Sequence, residues 1–241
     1  MSARGGDEIV LLGPPRSLSG RVALSVAKSQ VVPVSITVGE QSTVYRGTLR
    51  PAGTNASEVR LRLPGDTAPG TYTGETTLAG KPQRVRVQVE PLLRLTLEPR
   101  QSNLTAVAGS QVEFAFVVNN DGNIPFEIPK ADSFDLDDGI AQERALGRTL
   151  RAKLSEGEHP IDHLFDELRD AHGGEASVAV RVGAGTIVPG ETRQLTCVLT
   201  VPAAAKAGRT YVGPWQLGNT AHVIVADITA VARPAISTIG R

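Results

Sequence analysis

Glu158, His159, Asp162, His163, Asp166, Glu167, Asp170 and His172 crowd one short stretch of this sequence. His163 and Glu167 are four residues apart, which on a helix puts them on one face, where they could share a metal ion or a proton. The same spacing fits a solvated acidic face opposite Ile161, Leu164, Phe165 and Leu168. His159 precedes Pro160 and therefore falls outside the helix and off that face. A second group, Asp132, Asp135, Asp137 and Asp138, resembles a calcium loop but misses the EF-hand frame of Asp-x-Asp-x-Asp-Gly with Glu at position twelve. It reads either as a backbone-assisted surface calcium site or as carboxylates set near the positive end of a following helix. Cys197 alternates with Leu195, Leu199 and Val201, the pattern of a buried small hydrophobe, with no His–Asp arrangement to activate it. The nucleophile elbow, the phosphate loop, the H-E-x-x-H zinc motif and the dinucleotide fingerprint are all missing. The expectation is a chain with no catalytic residues and no cofactor, calcium being the one metal that its carboxylates suggest.

Composition narrows the classes further. Twenty-five basic residues balance 25 acidic ones over 241 residues, so no net positive field marks a nucleic-acid binder. One cysteine excludes an intrachain disulfide and any multi-cysteine metal site. No apolar run approaches the roughly 20 residues of a membrane span. The opening MSARGGDEIVLLG lacks the apolar core of a signal peptide. On sequence alone the expected location is cytoplasmic or particle-associated.

The elements that position these residues are short alternating runs broken by Gly, Pro and Asn. Runs at 8–12, 20–27, 31–38, 42–49, 57–63, 71–78 and 83–90 predict a seven-stranded antiparallel sandwich over 1–90. A repeat then sets the domain count. LPGDTAPGTYTGETTLAGKPQRVRVQV from Leu63 recurs as VPAAAKAGRTYVGPWQLGNTAHVIVADI from Val201. Tyr72 and Gly74 match Tyr211 and Gly213 after a one-residue insertion, so the chain reads as two related domains in tandem. The second spans 91–232, followed by a tail at 233–241. In it Asn119-Asn120-Asp121-Gly122-Asn123 predicts a hairpin turn from which Ile124–Ile128 returns.

The strings FVVNNDGNIPFEI and VPGETRQLTCVLTVPAAAKAGRTY resemble the bacterial and archaeal immunoglobulin-like repeats of surface and accessory modules. The first domain matches only their closing part, LPGDTAPGTYTG. The resemblance implies an all-β chain of two tandem immunoglobulin-like sandwiches, non-catalytic roles as spacer, adhesion or assembly unit, and a place at the cell surface. The departure from that pattern is an insert at about 131–174. Ile140, Leu146, Leu150 and Leu154, then Ile161, Leu164, Phe165 and Leu168, repeat at helical spacing and predict a helical hairpin.

Charge divides at the domain join. Residues 1–91 carry a net +4 and residues 92–241 a net −4. Arg60 with Arg62, and Arg84 with Arg86, face outward from one sheet or from two. Trp215, which replaces Thr76 of the repeat, fills the core or an interdomain seam, or else anchors a partner. With Leu164, Phe165 and Leu168 these are the candidate interaction residues. The sequence thus reads as a non-enzymatic structural or interaction protein, a subunit of a fibre, surface layer or particle that self-associates or joins a larger complex. The alternative is an accessory module binding a glycan or calcium.

Overall fold

Period-two alternation becomes strand wherever a neighbour can cover the apolar face, and this chain supplies such neighbours almost throughout. The computed structural model describes residues 8–38, 41–138, 141–152 and 159–230. Two compact units emerge. The first reaches Leu95 and includes Asn120–Phe126 and Ile187–Glu191; the second comprises Thr96–Asn119, Glu127–Thr186 and the chain from Thr192 onward.

The first unit is built from β1 (Glu8–Gly13), β2 (Leu18–Val22), β3 (Gln30–Val38), β4 (Gln41–Pro51), β5 (Ser57–Leu61), β6 (Gly70–Leu78) and β7 (Lys81–Val89). Their hydrogen bonds run in the order β1-β2-β5-β4-β3-β6-β7 and close, because β1 also lies parallel to β7 from Glu8↔Arg84 to Gly13↔Val89. Two strands serve both layers. β1 touches β2 at one pair, Leu12↔Ser19, and β4 leaves β3 after Gln30↔Leu49 to pair with β5 from Thr48↔Arg60 to Pro51↔Ser57. The ring is therefore a flattened sandwich, with Leu11, Val34, Leu49 and Val87 fully buried between its layers.

The chain continues as β8 (Leu95–Glu98), β9 (Gln101–Val107), β10 (Gln111–Asn120), β11 (Phe126–Ile128), β12 (Ala131–Asp138), α1 (Ala141–Arg151), α2 (Pro160–Ala171), β13 (His172–Val182), β14 (Gly185–Ile187), β15 (Thr192–Thr200), β16 (Thr210–Leu217) and β17 (Thr220–Thr229). Eight of these strands form one sheet, β8-β10-β15-β13-β12-β16-β17-β9, and β11 pairs with β14. The sheet folds over on itself. β10 and β16 are far apart in that order, yet Phe116 meets the edge of Trp215 with ring centroids 5.8 Å apart, and Phe116 stacks on His222 of β17 at 4.1 Å.

Both units use one pairing scheme. β3–β4, β3–β6 and β6–β7 in the first recur as β12–β13, β12–β16 and β16–β17 in the second; β2–β5 recurs as β10–β15, and the parallel β1–β7 pair as β9–β17. The repeated segment behaves alike in its details. Tyr72 Oη donates to the Ala68 carbonyl at 2.7 Å, four residues back. Tyr211 Oη accepts from the Lys206 N–H at 3.0 Å, five back, which accommodates the one-residue insertion. Gly74 and Gly213 both sit where a Cβ would strike the neighbouring strand, 2.1 Å from the Ser35 carbonyl and 2.6 Å from that of Asp135.

Two expectations change. Ile124–Ile128 does not return along β10, whose partners are β8 and β15; Phe126–Ile128 pairs with β14 instead. The asparagines of the turn spend their side chains elsewhere. Asn123, only 3% exposed, accepts the Leu92 N–H at 2.6 Å and donates to the carbonyls of Thr67 and Glu90 at 3.0 Å each. The insert is also shorter than about 131–174, because Ala131–Asp138 alternates and pairs with β13 from Ala131↔Ala179 to Asp137↔His172. Only 141–151 and 160–171 are helical. Ile140, Leu154 and the tail at 233–241 lie outside the described residues.

The helices thus stand where the first unit has only residues 39–40, between a paired hairpin of strands. Replacing 139–171 by a short Asn-Gly turn should leave strand circular dichroism intact and the melting temperature within a few degrees of the parent. Loss of the cooperative melt would show that the helices are core.

Candidate functional site

Apart from Gly147 and Thr149, α1 is made of strong helix formers, with Arg148 and Arg151 in its last turn, where they oppose the negative end of the dipole. α2 opens with Pro160 in its first turn after an extended His159, and carries Asp162 near its positive end. Each helix turns one line of residues to the other: Ala145 and Thr149 on α1 are buried, and Leu164, Leu168 and Ala171 on α2 are half-buried to buried. Polar groups reinforce that seam. Arg148 Nη1 donates to Glu167 Oε2 at 2.8 Å, and Thr149 Oγ1 lies 3.4 Å from His163 Nδ1. His163 and Glu167 are therefore each engaged with α1 and do not form a shared pair with one another.

The other apolar line is uncovered. Leu146 and Leu150 are 52% and 78% exposed, and Ile161 and Phe165 are 56% and 61% exposed. Each of these residues follows the seam line of its own helix by one position, a rotation of about 100°. Because the two helices of a hairpin run in opposite directions, equal rotations carry both stripes to the same side. One face of the hairpin thus presents four large apolar side chains to solvent, a concentration that marks interaction surfaces in soluble domains. Leu164, Phe165 and Leu168 were the residues singled out from sequence. Of these, Phe165 is on the open face, while Leu164 and Leu168 lie toward the seam. Leu146 and Leu150 belong to the face as well; their helical spacing was legible, but their exposure was not.

The second acidic group is dispersed by its strand. Along β12, Asp132 and Asp138 point to the side of buried Leu136, and Asp135 and Asp137 to the other. Asp132 accepts from Trp215 Nε1 at 3.1 Å, and Asp137 lies 2.9 Å from His172 Nδ1. Asp138 is itself buried. Among the described residues no three His, Cys, Asp or Glu side chains converge to hold a metal. Glu158 lies outside the described residues.

Arg60 and Arg62 belong to a different layer from Arg84 and Arg86. Glu8 binds Arg86 at 2.6 Å and also stands opposite Arg84, as does Glu75, so that layer is locally neutral. On the β2–β5–β4 layer Arg60 pairs with Glu58 at 2.8 Å, and Glu58 also stands opposite Arg21 and Arg50, so that one carboxylate serves three arginines there. Arg16, Glu58, Arg60 and Arg62 rim a cleft of about 180 Å³ there. Trp215 is corrected as a contact residue: it is 0% exposed, packed on Phe116 and bonded to Asp132, and it belongs to the core.

Burial also removes the chain's nucleophile and one of its histidines from chemistry. Cys197 is fully buried and its thiol is pushed up to about 12 by desolvation, so no thiolate forms near neutrality. His222, equally buried, has Ser102 Oγ 2.9 Å from its Nε2. Its pKa falls to about 4 because burial disfavours the imidazolium, a contact with the Pro99 backbone opposing this in part. No helix among the described residues is long and apolar enough to cross a membrane.

No protein-family model and no curated protein matches the chain. Among solved structures it is similar to a protein of unknown function from Porphyromonas gingivalis W83, at 10% identity over 93% of this chain and 98% of that one, with a TM-score of 0.25. It is also similar to a mutated variant of three titin Ig domains, at 10% identity over 94% and 63%, TM-score 0.35. A third likeness is to domains 4 and 5 of the S-layer protein SbsC, at 11% identity over 89% and 82%, TM-score 0.28. The chain spans just under two thirds of the titin fragment. At these values the likenesses name neither a family nor an activity.

The buried imidazole makes stability depend on pH in a stated direction. Above pH 6.5 the ring is neutral folded and unfolded; below it the unfolded chain takes up a proton that the folded chain refuses until about pH 4. Stability should therefore fall through that window by about 3 kcal/mol from this group. Urea midpoints of the parent and His222→Phe at pH 7 and 4.5 check it: the parent should lose more on acidification, and equal losses would overturn the assignment.

Proposed function

We propose that this chain is a non-enzymatic structural and interaction protein, a subunit of a larger assembly such as a fibre, surface layer or particle, which docks on protein partners through its helical hairpin. The observation that carries this reading is the shared open face of Leu146, Leu150, Ile161 and Phe165. A buried stripe would make the hairpin a part of the core; an exposed one exists at a cost in free energy that contact with a partner recovers. The site has charge at its edge as well, since Arg169, paired with Asp166, follows Leu168 of the seam by one position just as Phe165 follows Leu164. The arginine face of the β2–β5–β4 layer and the acidic α2 give the molecule the polarity that steers charged surfaces together. No step of this reading uses a metal or a cofactor.

Site-specific photo-cross-linking in the native source tests it. A cross-linker in place of Phe165 should yield discrete protein adducts, and one at exposed Thr71 should yield few. Equal and diffuse labelling at both positions would overturn the hairpin as the docking element.

A further inference from the structure

Three arginines of the first unit meet at one cleft. The turn Pro15–Ser17 leads the chain into β2, and the Leu63 N–H donates to the Pro15 carbonyl at 2.8 Å, which holds that turn against the segment leaving β5. Leu18 and Leu61, paired in the ladder and buried, form the floor between the two. Arg60 and Arg62, on either side of Leu61, and Ser17 and Ser19, on either side of Leu18, line the walls. Arg16 completes a cleft of about 180 Å³.

Its charge is unbalanced. Three guanidinium groups share the cleft with one carboxylate, Glu58, an excess of two positive charges. Glu58 accepts from Arg60 Nε at 2.8 Å, and Arg21 and Arg50 also face it across the ladder. Arg16 and Arg62 form neither an ion pair nor a side-chain hydrogen bond among the described residues. Gathering like charges without their counter-charges costs free energy that an anion would recover. The position of Arg16 is set by Gly65. A Cβ on Gly65 would lie 2.7 Å from both Nε and Nη2 of Arg16, so the guanidinium occupies space that glycine leaves open. Gly65 has no positive φ, and space is therefore what this glycine provides.

We infer that this cleft binds a divalent tetrahedral oxyanion, a sulfate or a phosphate group, with Arg16, Arg60 and Arg62 as its charge partners and Ser17 and Ser19 as hydroxyl donors. Guanidinium forks suit such oxygens in spacing and in sign. Two negative charges equal the excess in the cleft, whereas a carboxylate would cancel half of it. The volume takes one such group with a few waters, at about 30 Å³ for each water, and not a length of polymer. The site belongs to the first unit and does not depend on the hairpin.

Backbone-amide NMR of the full chain tests the site, with sodium sulfate added at an ionic strength held constant by chloride. Saturable shifts should centre on Ser17, Ser19 and Gly65, with a dissociation constant on the order of 1 mM. Arg16→Gln and Arg62→Gln should each weaken binding about tenfold or more, the loss of a charge-assisted hydrogen bond. Arg50→Gln removes a charge from the same layer outside the cleft and should change it less than about twofold. Gly65→Ala keeps every charge and displaces Arg16, so it should weaken binding several-fold at an unchanged melting temperature. Phenyl phosphate is the second probe. It should bind at pH 8 and weaken at pH 5, having taken up its second proton near pH 6, while sulfate should hold its affinity throughout. Tighter binding of phenyl phosphate than of inorganic phosphate at pH 8 would support a group carried on a larger molecule, and the reverse would support the free ion. Equal losses in Arg50→Gln and Arg62→Gln would reduce the effect to the general field of the layer and overturn the site. The absence of saturable shifts up to about 50 mM sulfate would overturn it too.

Discussion

The pairing of β12 with β13 governs what the rest of the molecule can do with residues 141–171. Because Asp137 stands opposite His172 in the ladder, the chain must leave the sheet and return to it at one point. A segment anchored at two adjacent ends can bury an apolar line against itself, against the sheet that carries it, or against something outside the chain. Its helices accomplish the first with Ala145, Thr149, Leu164 and Leu168, and the second line stays open. Strand register thus leaves an apolar face open to solvent with no change to the sandwich that carries it.

The same ladder shows why such an insertion is tolerated. In the first unit the equivalent strands, β3 and β4, pair from Gln30↔Leu49 to Val38↔Gln41, a tight hairpin. Sheet hydrogen bonds and the buried alternation on either side do not depend on what joins the strands, and the entropy of closing a longer loop grows only slowly with its length. The tyrosine contacts and the close-packed Gly74 and Gly213 follow this hairpin in sequence, the parallel closing strands β1 and β9 precede it, and all of them survive in both units. What varies is the connection, where surface function is usually placed.

Much of this was legible because strand burial has a short period. The alternation of Leu195, Cys197, Leu199 and Val201 states their inward direction outright, and all four are buried. Helical spacing likewise located the insert. The misread features share one cause, a dependence on partners distant in the chain. Asn123 reads as a turn former, yet its amide is committed to Thr67, Glu90 and Leu92. The aspartates at 132–138 read as a cluster, yet an extended backbone sends them alternately to opposite faces. Whether Arg60 and Arg84 shared a surface depended on which layer each strand joined, and whether Leu150 was covered depended on what lay beside it.

Charge tells a similar story at a finer scale than net counts. Around Arg84 and Arg86 the first unit neutralises itself with Glu8 and Glu75, so the excess gathers on the β2–β5–β4 layer. Exposed ion pairs contribute little to stability, which leaves their arrangement free to serve recognition. The hairpin follows that logic: its open face is apolar, while the Arg148–Glu167 pair is held at the seam between its helices. An apolar face alone would accept many partners; specificity comes from polar groups at its edge, which make wrong partners and wrong orientations costly.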